Sequence, residues 1–314
     1  MRAVAVKAFK GEPELIQVPK PDPAEGEVLV KIEYAALNPV DRQIADGAFD
    51  GRAEHVFPLV LGWDFAGRID VVGPGDSRFV VGDAVFGQAA RPPVGTGTFA
   101  EYVTMPQDGP IAFVPDGLSF RTAALLPTAG MTAAETLAAT GATAGQAVLV
   151  VGAAGGVGSI LTQLAAARDV RVLAAVRGDG ERRMTALGAD TTLDTTARDL
   201  AAAVRDLFPD GVDAVIDLVS DSPAAFAANA ALVRAGGTAV TTRGVAAGAR
   251  LPAGVEGIDF LQRPSTNLLD TLAAAAADGE LHVPLGAELP LEQAPDALVR
   301  SGSGGARGRT VFTL

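Results

Sequence analysis

The sequence predicts an α/β protein of two domains: a compact, partly closed β domain and a doubly wound parallel-sheet domain. Three observations predict it. Up to about Pro115 the chain is dense in short, turn-bounded β segments; its texture changes at Pro115-Asp116-Gly117; and beyond that point apolar strands alternate with Ala-rich helical stretches. Closely spaced strands punctuated by Gly and Pro indicate a compact β domain. Strand–helix alternation indicates βαβ units and a parallel sheet.

The elements follow in order. Met1-Arg2-Ala3-Val4-Ala5-Val6-Lys7 alternates and is interrupted by charge at once, so it reads as a first strand and not as a signal peptide. Residues 28–34 follow Pro21, Pro23 and Gly26, and residues 65–72 end at Gly73-Pro74-Gly75. Residues 80–87 and 97–103 are similar β signals. A helix is expected over residues 121–140. Parallel strands are expected at 147–151, 170–176, 212–219 and 238–242, with helices at 197–207 and 223–234 between them. After Pro264 the pattern predicts helices at 267–278 and 292–300, then a strand at 309–314.

One stretch imitates a membrane span, because residues 136–167 carry no charge. Gly141, Gly145, Gly152, Gly155, Gly156 and Gly158 divide it, however, and Gln146 and Gln163 are polar. A strand buried on both faces of a parallel sheet makes the same apolar run. The membrane is therefore not an expected partner.

Composition narrows the chemistry. The 314 residues contain no Cys and only two His, His55 and His282. That excludes a disulfide framework, a cysteine nucleophile, an iron–sulfur cluster, Cys-based zinc sites and a three-histidine centre. The net charge is −12 and Lys occurs only at positions 7, 10, 20 and 31. With no basic run to neutralise phosphates, nucleic acid is not an expected partner either. The acidic balance fits colloidal solubility, and a cytoplasmic protein is expected.

The strongest motif runs from Val148-Leu149-Val150-Val151 through Gly152-Ala153-Ala154-Gly155-Gly156-Val157-Gly158-Ser159. As a dinucleotide fingerprint, Ala153 takes the first glycine position, Gly155 the second and Gly158 the third. Gly155 lets backbone approach a pyrophosphate, and Gly158 lets the helix pack on the strand. Gly152, Ala153, Ala154, Gly155, Gly156 and Val157 form the expected cradle, with the helix N-terminus offering free N–H groups to the anion.

About twenty residues on, an acidic residue would mark a free ribose hydroxyl. This chain has Arg177 there, followed by Arg182, also expected at the cofactor, and Arg183; both could share the contact that Arg177 makes. Arg177 either grips a 2′-phosphate through paired N–H bonds or is a solvated surface charge. NADPH is the expected cofactor.

These residues, with others, carry a family resemblance. Asn38-Pro39-Val40-Asp41, Leu61-Gly62-Trp63-Asp64-Phe65-Ala66-Gly67, Val81-Gly82-Asp83-Ala84-Val85 and Leu126-Pro127-Thr128-Ala129-Gly130-Met131-Thr132-Ala133 precede the glycine loop. Leu187-Gly188-Ala189-Asp190 and Gly305-Ala306-Arg307-Gly308-Arg309-Thr310-Val311 follow it. In order and spacing the chain resembles the zinc-independent medium-chain dehydrogenases/reductases of the quinone oxidoreductase type.

The resemblance implies a GroES-like, partly closed β-barrel domain built from residues 1–120 and 265–314. A Rossmann domain, residues 121–264, would be inserted between them. It also implies Asn38 and Thr128 as catalytic residues near the nicotinamide, and cofactor contacts at Val219, Thr242 and Arg309. Asn38 would orient the ring or polarise a carbonyl, or else simply stabilise the turn before Pro39. Asp41 is expected at the substrate or as a structural residue of the same loop. Trp63 and Phe260 would wall a planar substrate or belong to the core. The zinc-bearing branch places a Cys in the loop of Asn38 and Gly-His-Glu where Gly62-Trp63-Asp64 stands, so no metal is expected.

Without a Lewis acid, acceptors that delocalise the charge of hydride addition are favoured. The expected substrate is a small molecule, a quinone or an α,β-unsaturated carbonyl. Two alternatives stay open: an enoyl reductase acting on an acyl thioester, and a non-catalytic NADPH-binding sensor or structural protein. The resemblance further implies a homodimer, paired through the apolar segment Ile258-Asp259-Phe260-Leu261.

Overall fold

The computed structural model describes residues 1–178, 180–301 and 308–314. The chain divides into two compact units, Met1–Met131 with Pro264–Leu314, and Thr132–Arg263.

In the first unit the strands are β1 (Arg2–Val6), β2 (Glu14–Gln17), β3 (Glu27–Ala36), β4 (His55–Val60), β5 (Asp64–Val72), β6 (Ala84–Gln88), β7 (Val94–Thr96), β8 (Tyr102–Pro106) and β9 (Ile111–Phe113). Helix α1 (Pro39–Ala45) follows β3. Where one helix was expected over 121–140 there are two, α2 (Phe120–Ala124) and α3 (Pro127–Ala139). Pro127 has no N–H to continue the first helix and suits the first turn of the second. One sheet runs β2-β1-β4-β7.

The Rossmann unit holds β10 (Ala147–Val151), β11 (Arg171–Val176), β12 (Thr191–Asp194), β13 (Val212–Asp217), β14 (Val233–Thr241) and β15 (Glu256–Asp259). Its helices are α4 (Gly156–Ala166), α5 (Gly180–Ala186), α6 (Leu200–Leu207) and α7 (Pro223–Ala230). All six strands are parallel, in the order β12-β11-β10-β13-β14-β15. Every residue of central β10 is buried, which accounts for its unbroken apolar composition. The order reverses between β10 and β13, and ligands bind at such a switch point, beyond the carboxyl ends of the strands.

The chain then returns to the first unit with α8 (Thr266–Ala277), β16 (Leu285–Pro290), α9 (Ala294–Ser301) and β17 (Arg309–Thr313). These complete the second sheet, β16-β17-β3-β5-β6-β9, with β8 also paired to β3. Its core includes the fully buried rings of Phe65, Phe79, Phe99 and Phe312. The barrel is thus sewn from both ends of the chain.

Several expectations shift. Residues 121–131 pack with the first unit, because Thr128 in this stretch hydrogen-bonds to Asp64 there. Strand β14 begins at Val233, not 238, so α7 stops at Ala230. Strands β12 and β16 were not foreseen; β12 has four residues, all half-buried, too short to show a period. Among the described residues no helix is long and apolar enough to cross a membrane.

Candidate functional site

The Rossmann unit carries one candidate site. Strand β10 ends at Val151, and Gly152 turns the chain with φ +86°, a conformation L side chains rarely adopt. Gly155 caps α4 in an extended conformation. A Cβ on Gly158 would stand 2.5 Å from the Ala153 carbonyl oxygen and 2.6 Å from its Cα, so the helix packs directly on backbone. Ala153 is itself fully buried. The first N–H groups of α4 have no acceptor within the helix.

Two loops border this cradle. After β11, Arg177 is exposed and forms no hydrogen bond or ion pair with another described residue. Arg182 is also exposed, whereas Arg183 is half-buried and donates through Nη2 to the Ala154 carbonyl. Asp179 lies outside the described residues. The Asp194 carboxylate accepts from the N–H groups of Gly178 and Thr196 and from the Thr196 hydroxyl. Those hydrogen bonds, Thr196 first, hold its pKa below the usual value.

After β13 stands a residue the sequence reasoning missed. Asp217 is fully buried, and its carboxylate accepts from Val219 N–H, Ser220 N–H and Asn229 Nδ2. It fixes the loop in which Val219, 55% exposed, covers Gly152: a Cβ there would lie 2.5 Å from Val219 Cγ1. Thr242 is half-buried, its N–H on the Asp217 carbonyl at 3.4 Å. Phe260 follows β15, half-buried, its N–H on Thr241 O. The signal for Asp217 was legible in form, a β strand ending in Asp before Ser220-Asp221-Ser222.

The first unit carries a buried polar network centred on Asp64 at the start of β5. Its carboxylate accepts from Thr128 N–H, from the Thr128 hydroxyl at 2.6 Å, from Asn38 Nδ2 at 2.9 Å and from Arg309 Nη2 at 3.2 Å. Arg309 also donates to Asn38 Oδ1 at 2.8 Å. Gln88 Nε2 donates to the Thr128 oxygen at 2.7 Å. Asp41, fully buried on α1, accepts the Asn38 N–H at 2.7 Å, and its Oδ1 has no partner among the described residues. Asn38, Asp41, Thr128 and Arg309 therefore meet around Asp64, a hub outside the expected set of site residues.

Burial sets the electrostatics of this network. It pushes the Asp41 carboxyl well above the ordinary range, opposed by the hydrogen bond from Asn38. It raises Asp64 as well, against the charge of Arg309 and the donors on Thr128 and Asn38. It lowers Arg309, against the attraction of Asp64 and Asp41. Arg309, expected at the cofactor, lies buried within this unit with its Nη2 engaged. Both hydrogens of the Asn38 amide are likewise committed, to Asp64 and at 3.4 Å to Ala36 O.

Trp63 is half-buried, stacks on Phe49 with ring centroids 6.1 Å apart, and lines a small pocket with Ile44, Leu61, Gly62 and Arg91. His55 sits on β4 with its ring edge-on to Phe9 at 5.0 Å. Of the C-terminal motif, residues 305–307 lie outside the described residues.

This fold and cradle define a nucleotide-binding protein of the GroES-like-plus-Rossmann class. Two family models match: "Alcohol dehydrogenase GroES-like domain" over residues 24–116 and "Zinc-binding dehydrogenase" over residues 187–312. The chain is 34% identical over 230 residues to the 2-methylene-furan-3-one reductase of Solanum lycopersicum, a match covering 71% of this chain and 56% of that protein. The chain thus spans little more than half of that relative. The structure of the quinone oxidoreductase from Coxiella burnetii superposes with a TM-score of 0.87 at 27% identity, covering 100% of this chain and 99% of that one. A mycobacterial protein complexed with NADPH superposes with a TM-score of 0.82 at 28% identity, covering both chains fully. The chain belongs to the medium-chain dehydrogenase/reductase superfamily and is quinone oxidoreductase-like within it.

The zinc in the second model's description finds no donor set here. The chain has no Cys, and no group of three His, Cys, Asp or Glu among the described residues could hold a metal ion. Asp64, beside Trp63, already accepts from four protein donors, one of them a cation. A dinucleotide fits better. The glycine cradle has backbone approach, a helix N-terminus and a nearby guanidinium that other described residues leave unengaged.

Proposed function

We propose that this protein is an NADPH-dependent reductase of quinones or α,β-unsaturated carbonyl compounds. The observation that carries the reading is Arg177: exposed, at the carboxyl end of β11, and unengaged by other described residues beside the glycine cradle. A guanidinium so placed suits a 2′-phosphate, which takes paired charge-assisted hydrogen bonds. The mycobacterial neighbour complexed with NADPH supports the same choice. Gly155, Gly156 and Val157 would hold the pyrophosphate, and Val219 and Thr242 would border the nicotinamide end. The bound cofactor would supply the hydride.

The acceptor class follows from the polar groups of the first unit. Asn38 and Thr128 give their side-chain hydrogens to Asp64 and Ala36, and are positioning residues in this reading. A saturated aldehyde would need a strong donor for its alkoxide, whereas a conjugated acceptor spreads the charge over its own atoms. The Solanum lycopersicum relative, named as a reductase of a 2-methylene-furan-3-one, supports this class.

Loss of NADPH absorbance tests the proposal with a naphthoquinone, an enone, an enoyl thioester and a saturated aldehyde. Turnover of the quinone or enone, but not the aldehyde, is expected. Turnover of the thioester alone would favour an enoyl reductase; binding without turnover would favour a sensor. Edge strand β15, with Leu261 beside it 82% exposed, supports a homodimer. Light scattering should give about twice the chain mass of 31.8 kDa.

A further inference from the structure

We infer that Arg183 is a positioning residue for the dinucleotide loop, acting on NADPH and NADH alike, so that the arginines at the end of β11 divide two tasks between them. The inference rests on the dinucleotide reading above and assigns Arg183 a role apart from the 2′-phosphate. One peptide plane carries the argument, the one joining Ala154 to Gly155. Its carbonyl accepts from Arg183 Nη2, and its N–H, on Gly155, donates to Gly152 O at 3.1 Å. The plane is therefore held at both ends.

That plane is the entry to α4. Gly155 is the N-cap, and the N–H groups that follow are those an anion would meet. The loop around it is Gly152-Ala153-Ala154-Gly155-Gly156, whose three glycines are conformationally permissive. A strut on the Ala154 carbonyl removes freedom at the point where it would misaim the helix N-terminus. Arg183 reaches the loop from α5, whose first residue, Gly180, lies next to it: a Cβ there would stand 3.5 Å from Ala154 Cβ, in ordinary van der Waals contact. The Arg183 Nε is buried and has no partner among the described residues, so the guanidinium brings a partly desolvated positive charge to the loop.

Arg177 offers the contrast. It is exposed, and other described residues leave its guanidinium unengaged. Arg183 serves the part of the cofactor common to both dinucleotides, and Arg177 the phosphate that distinguishes them.

Isothermal titration of the full chain with NADPH, NADH and ADP-ribose tests the division without reference to turnover. Arg183→Met keeps the apolar stem and is expected to weaken all three by a similar factor, roughly tenfold. The NADPH-to-NADH ratio should stay at the wild-type value. Arg183→Lys retains the charge with a single donor centre and should recover part of the loss for every ligand, which general loosening of the fold would not produce. It also serves as the test if Arg183→Met fails to fold. Arg177→Met should instead collapse the ratio while leaving NADH and ADP-ribose unchanged. Loss confined to NADPH in Arg183→Met, or unchanged affinities, would overturn the inference. A wild-type protein that binds none of the three would overturn the dinucleotide reading itself, a distinguishable failure.

Discussion

The two units handle their polar groups in opposite ways. In the barrel, Asn38, Asp64, Thr128 and Arg309 are turned inward and joined to one another. In the Rossmann unit, the first N–H groups of α4 and the Arg177 guanidinium stand at a loop edge without comparable partners among the described residues. Satisfied buried polar groups specify a structure, and removing one partner leaves a costly orphan. Exposed, pre-aimed donors are instead available to a ligand. A polar residue's hydrogen-bond balance is thus a better guide to its role than its residue type.

The largest expected effect breaks the inward-facing side. Asp64→Ala strands the Arg309 cation in the core, and loss of one partner of a buried ion pair costs about 3–5 kcal/mol. Urea denaturation should show that loss, and Asp64→Leu combined with Arg309→Met should be less destabilised than Asp64→Ala. Equal stability of Asp64→Ala and wild type would remove the hub from the account.

A smaller effect sharpens the ligand-facing side. Gly158→Ala would drive a Cβ against the Ala153 backbone, and overpacking of this kind costs about 1–3 kcal/mol. Both NADPH and NADH should bind more weakly by titration, because α4 must move away from β10. Unaltered binding of both would mean that the close contact of Gly158 with Ala153 does not set the cradle.

The smallest effect concerns Asp41. Asp41→Asn keeps an acceptor for the Asn38 N–H, so at acid pH the change should be within about 1 kcal/mol. Burial raises the folded-state pKa of Asp41, with Asp64 and Arg309 the charged groups facing it. Its contribution to stability is therefore complete below the unfolded value near pH 4 and is lost as pH rises towards the folded value. Thermal melts from about pH 4 upward should show Asp41→Asn gaining stability relative to wild type. A constant difference across that range would mean that Asp41 is ionised in the fold.

The same contrast explains what could be read from the sequence. Strand β10 was legible to the residue because burial on both faces leaves no polar interruption. The close packing at Gly158 was legible because its constraint is local, a contact with the Ala153 backbone, whereas the turn at Gly152 was not read from the sequence. The split of one expected helix at Pro127 was available in the chemistry of proline and was missed. The Asp64 network was not legible, since it joins Asn38 to Arg309 across 271 positions. Residue types alone did not reveal that Arg309 turns inward while Arg177 stays exposed.

In the proposed function Arg177 reads a 2′-phosphate, and competition between the two cofactors is the decisive experiment. Dissociation constants of NADPH and NADH should be measured by titration at one ionic strength, for wild type and for Arg177→Ala. A bidentate charge-assisted contact contributes about 1.5–3 kcal/mol, so wild type should prefer NADPH by roughly 10- to 150-fold. Arg177→Ala should lose most of that preference while binding NADH as before. Equal affinities in the wild type, a preference for NADH, or an equal loss for both cofactors in Arg177→Ala would contradict the account.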